Sequence, residues 1–165
     1  MAGPLLPLTK LLFGLALLCA TSTSSLAQNP ASAAAPAPNT GSTVSGVPDI
    51  VANGFLDYMK GGFSSAVEAW SKGSSLEVDS TAKNALSKSL SDEENVAGTF
   101  VSPEIIRVVT LSTSSTLVYI FGKYQRGSLF MCFACYKTTD KWLVTSVDID
   151  VDPVKVLPTN LLSGQ

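Results

Sequence analysis

The sequence predicts an α+β domain, and three observations predict it. Apolar residues recur at helical spacing in the first half of the chain, and β-branched and aromatic runs fill the second half. The connections between those runs are only two or three residues long. The expected architecture is therefore three N-terminal helices packed on a curved four-stranded antiparallel meander, because each apolar stripe needs a second layer to cover it.

The helices come first. Pro48 and Asp49 suit a first turn, where the missing proline N–H costs nothing and a carboxylate meets the positive end of the helix. Val51, Phe55 and Tyr58 or Met59 then repeat at helical spacing until Gly61-Gly62 breaks the run. Phe63, Ala66, Val67 and Trp70 follow the i, i+3, i+4, i+7 template, and Gly73 supplies a stop. A third helix is expected over about residues 80–90, with Ala82, Ala85, Leu86 and Leu90 on one stripe and Lys83, Ser87 and Lys88 outside it.

Four strands follow, over residues 104–112, 116–125, 128–137 and 141–151. Parallel neighbours would need crossovers of about a dozen residues, so each must pair with the next as an antiparallel hairpin. With Arg126-Gly127 as a two-residue loop, Val118, Ile120, Tyr124, Leu129, Met131 and Phe133 share one face. Leu143, Val147, Ile149 and Val151 have the parity to join them, and the helices are assigned to this face. The opposite face carries Leu117, Tyr119, Phe121, Phe130, Cys132, Ala134 and Tyr136, then Trp142, Val144 and Asp148. A solvated face is normally polar and this one is apolar, so it is either closed by the chain's own terminal segments or meets another molecule.

Residues 1–27 read as a signal peptide: Lys10, then ten apolar residues, then small Ser25 and Ala27 before a cleavage point. Ten residues span about 15 Å as a helix, half a bilayer core, so no membrane span is expected in the mature chain. Residues 28–46 are Ala, Pro, Ser, Thr, Asn and Gly with almost no apolar bulk, the composition of a disordered linker. Residues 47–165 are left as one domain without internal repeats. Export to the periplasm or beyond is the expected localisation.

Composition removes much of the catalytic menu. The 165 residues include no histidine, which excludes Ser-His-Asp and Cys-His catalysis and histidine-ligated metals. A formal net charge of -2 offers no basic field for nucleic acid. Cys132 and Cys135 form a C-F-A-C motif, but within one strand they are about 10 Å apart on opposite faces, beyond disulfide reach. They read as small buried fillers, with Cys132 alone placed for an intermolecular bridge. Asp92-Glu93-Glu94 reads as a solvated turn. Asp148, Asp150 and Asp152 share one side of the last strand, which is tolerable only where it is wet; set at an apolar rim, Asp148 would instead become a general base. No phosphate loop, metal motif or cofactor signature is present in the sequence.

The helical run 63–70, the third helix, Gly98-Thr99-Phe100 and a meander ending on Lys141-Trp142-Leu143-Val144 resemble the nuclear transport factor 2-like superfamily, in particular its small secreted bacterial domains. The resemblance implies a cone in which a curved sheet wraps the helices, an open end that holds a small molecule, and homodimers through the outer sheet face. On that plan Phe55, Tyr58, Phe63, Trp70, Ile120, Met131 and Phe133 line a pocket for a small apolar ligand. Tyr119, Phe121, Phe130, Tyr136 and Trp142 form the interface. The expected function is a non-enzymatic binding or interaction module for a small apolar ligand or a protein partner, with no cofactor. The alternatives are an isomerase, dehydratase or hydrolase using a pocket acid such as Asp148 with a tyrosine, and a structural envelope component.

Overall fold

The computed structural model describes residues 46–163. The predicted signal peptide and almost all of the predicted linker lie outside the described residues. Helices precede a four-stranded antiparallel meander of order β1-β2-β3-β4, an α+β arrangement.

Helix α1 (Asp49–Ser71) runs through the expected break at Gly61-Gly62. Only Gly62 leaves helical geometry, at φ 74° and ψ -175°, a backbone region that a residue with a Cβ enters at a cost. The two predicted helices are thus one element with a kink. A short α2 (Ser75–Val78) is capped by the Ser74 hydroxyl, which accepts from the Leu76 N–H. In α3 (Ser80–Ala97) the Asp79 carboxylate accepts from the Thr81 and Ala82 N–H groups. This helix continues seven residues past the expected end at Leu90, because nothing breaks it before Gly98. Asp92, Glu93 and Glu94 are therefore helical, not the expected turn.

The strands are β1 (Phe100–Ser112), β2 (Ser115–Tyr124), β3 (Ser128–Lys137) and β4 (Trp142–Asp150). Strands β2 and β3 pair without a break from Ser115 opposite Tyr136 to Lys123 opposite Ser128. Strand β1 starts four residues earlier than expected and slips register against β2 three times, leaving Val101, Ile106 and Leu111 unpaired and exposed.

One bulge corrects the expected faces of β4. Ser146 pairs with Ala134 and Val144 with Cys135, so Thr145 is the extra residue and parity reverses there. Val147 and Ile149 pack on the helix side as expected. Val144 and Trp142, expected on the outer face, also pack on the helix side, while Leu143 moves opposite Tyr136.

The helix-side core holds Val51, Phe55, Trp70, Leu90, Val118, Ile120, Met131, Phe133 and Val144, among others. Two elements the sequence reading missed close the other face. Asp152 caps α4 (Pro153–Val156) by accepting from the Val154 N–H, and α5 (Thr159–Leu162) follows. Leu157, between them, is buried on Tyr119 and Cys132, with Val109, Leu117, Phe130, Val156 and Leu161 packed around it. The C-terminal segment thus supplies a cover for this face from within the chain. Burying one leucine in this way contributes about 2 kcal/mol.

Candidate functional site

The seven residues expected to line a pocket pack together as the interior of the domain. Phe55, Tyr58, Trp70, Ile120, Met131 and Phe133 are all buried, and Phe63 is half-buried at the edge of the cluster. The Phe55 ring meets Trp70 edge-on at 4.9 Å and Phe133 at 5.6 Å, and Trp70 meets Phe133 at 4.9 Å. Tyr58 stacks on Phe100 at 4.2 Å. The Trp70 indole N–H donates to the Val51 carbonyl at 3.2 Å across the kinked helix. Gly54 makes that approach possible, since a Cβ there would lie 1.9 Å from the indole nitrogen. The residues expected to line a pocket pack on one another instead.

A polar pair sits at one end of this cluster. The hydroxyls of Tyr58 and Tyr124 are 3.0 Å apart and both residues are buried, tying α1 to the end of β2. Burial pushes both hydroxyls up, Tyr124 to about 12, and the Glu94 carboxylate adds to the effect on each. Glu93, half-buried on α3, is also raised by burial. Two neutral hydroxyls in this setting donate and accept hydrogen bonds; neither is a base at neutral pH.

The two cysteines face opposite ways, as their spacing requires: Cys132 lies in the outer cluster and Cys135 in the helix-side core, and both are free. Burial raises both thiols, Cys135 to about 12, so thiolate chemistry is suppressed. Of the three aspartates along the last strand, Asp148 is exposed beside a shallow cleft of about 420 Å³ between α3 and β4. Asp150 pairs with Lys155 at 2.9 Å, and Asp152 caps α4. The Asp152 N–H and the Lys155 ammonium hold the Asp150 carboxyl below the usual range. These acids anchor the C-terminal segment. Among the described residues no cluster of three or more Cys, Asp or Glu side chains is placed to hold a metal, and no helix is long and apolar enough to cross a membrane.

Of the expected interface residues, Tyr119 is buried beneath Leu157, and Phe121 and Phe130 are half-buried at 5.2 Å from each other. Tyr136 is 50% exposed. Trp142 is on the other side of the sheet.

A cleft of about 1190 Å³ lies between α1 and the β3–β4 hairpin. One wall is α1 with its C-cap, presenting Asp49, Asn53 and Asp57 before the kink, Ser64 and Glu68 after it, and Lys72 at the cap. The other carries Lys137, Asp140, Lys141 and Trp142, with the Lys137 ammonium 5.7 Å above the Trp142 ring. The hairpin is fixed by Thr138, whose hydroxyl donates to the Lys141 carbonyl and accepts from the Lys141 N–H. Sequence reasoning missed this site. Its signal was a polar four-residue repeat along α1, 49-53-57 and 64-68-72, complementary to the apolar stripe that received attention. No family model, curated protein or solved structure matches the chain.

Proposed function

We propose that the chain is an exported, non-enzymatic binding module that recognises its ligand at the surface, with its interior serving as a packed scaffold. The packed aromatic cluster carries this reading: the side chains meant to enclose an apolar ligand are in ring-to-ring contact with one another. The open cleft beside α1 supports it, because polar and aromatic groups converge there within reach of solvent. Helices preceding a four-stranded meander are compatible with the nuclear transport factor 2-like cone, here in a filled form. The fluorescent probe N-phenyl-1-naphthylamine tests the reading, since it brightens on entering an apolar cavity. The purified chain is expected to leave it dim. Saturable brightening, displaced by fatty acid and reduced in Met131→Trp, would restore the enclosed-ligand alternative.

A further inference from the structure

We propose that the cleft between α1 and the β3–β4 hairpin is a groove for a glycan chain; this rests on the binding-module reading and names the ligand class of its surface site. Asp49, Asn53 and Asp57 stand at i, i+4 and i+8 on α1, and all three line the cleft. Their carboxylate and amide groups therefore repeat about 6 Å apart along the groove, four residues at about 1.5 Å each. Acceptors and an amide at even spacing suit a polymer that offers a hydroxyl or acetamido group once per unit. Opposite them, Trp142 packs in part on the helix-side core and is half-buried, leaving the rest of its apolar surface in the cleft for the C–H face of a pyranose. Lys137 lies over that ring but is exposed, and its flexible four-carbon stem lets it yield the position to a sugar.

Charge and size narrow the ligand further. Four acids and three lysines line the cleft, so it presents no field of one sign, and a neutral polyhydroxylated chain fits it better than a polyanion. At about 1190 Å³ and open to solvent, the cleft exceeds the usual 300–1,000 Å³ of a small-molecule pocket. A peptide would dock by extending a sheet edge or by seating a row of apolar anchors. The ladder along the helical wall is polar and seats no row of apolar anchors.

Calorimetric titration of the full chain with short β-linked N-acetylhexosamine and hexose oligomers, run beside a random-peptide display selection, tests the proposal. Saturable oligomer binding is expected, tightening with oligomer length and weakened at least tenfold in Asn53→Ala and in Asp57→Ala. Both positions are on the solvent side of α1 and leave the core intact; Trp142→Ala is a third variant, used only if its circular dichroism matches the parent. Absence of oligomer binding, or binding indifferent to both α1 variants, overturns the glycan assignment. Selected peptides that lose binding in the same variants overturn it too, while leaving surface recognition standing. Uptake of N-phenyl-1-naphthylamine into the interior is the separate result that removes surface recognition itself.

Discussion

The Tyr58 and Tyr124 hydroxyls share a buried hydrogen bond at 3.0 Å, joining residues 66 apart in sequence. Each satisfies the other in a setting where a lone hydroxyl would be costly. Tyr124→Phe is expected to destabilise by about 1–3 kcal/mol by orphaning the Tyr58 hydroxyl, while the Tyr58→Phe/Tyr124→Phe double variant recovers part of the loss. Urea denaturation of the three variants measures this, and strict additivity would show that the bond is not coupled.

The same pair sets an alkaline limit. Both hydroxyls are raised in the folded chain, so the native state holds these protons more tightly than the unfolded chain does. Stability is therefore full below the ordinary tyrosine value of 10.0 and falls as pH climbs toward about 12. Ultraviolet difference titration should show these two phenolates forming only together with unfolding. Free titration of all four tyrosines at pH 10 in a folded chain would contradict it.

Glu93 gives the matching effect at low pH. Its carboxyl is raised by burial, so ionising it disfavours the folded state. Its contribution is greatest below the ordinary value of 4.5 and is lost as pH rises through the raised one. Glu93→Gln should flatten this part of the stability–pH curve. An unchanged slope between pH 4 and 6 would assign the titration to another group.

Gly54→Ala tests the packing of α1 on itself. The added methyl would fall 1.9 Å from the Trp70 indole nitrogen, forcing the ring from its bond to Val51. Overpacking of this kind costs about 1–3 kcal/mol, and breaking the hydrogen bond adds to it. A melting temperature equal to the parent's would mean that the kinked helix adjusts without strain.

Leu157→Asp should lift the C-terminal segment from the outer face. Cys132 lies under Leu157 and Cys135 lies in the helix-side core, so the two thiols report on different faces. Reaction with a thiol reagent is expected to accelerate at least tenfold at Cys132 and to stay slow at Cys135. Removing residues 153–165 should have the same effect and promote self-association through Tyr119, Phe121 and Phe130, read by light scattering. Equal acceleration at both thiols would indicate general loosening instead.

Elements governed by local spacing were legible in the sequence. The bounds of β3 agree with the reading because Arg126-Gly127 and the residues after Lys137 punctuate it sharply. The alternation within β2 and β3 placed Ile120, Met131 and Phe133 on the helix side because their ladder has no bulge. Failures came where one residue shifts the count. Thr145 cannot be recognised as a bulge from β4 alone, and missing it sent Trp142 and Val144 to the wrong face. The C-terminal segment was missed because two helices of four residues carry no periodicity; Asp152-Pro153, a capping residue before an N1 proline, was its one local signal. The cleft was missed because apolar residues were sought for a site whose walls are polar.

Strand β1 is 13 residues long and, among the described residues, stands at the edge of the sheet, the kind of template on which proteins add to one another without limit. Its three register slips fall at even intervals, and Pro103 withdraws one N–H from the ladder. An incoming strand would find no more than a few consecutive partners in step before the pattern broke. The irregularity thus works against fibril growth by strand addition at this edge.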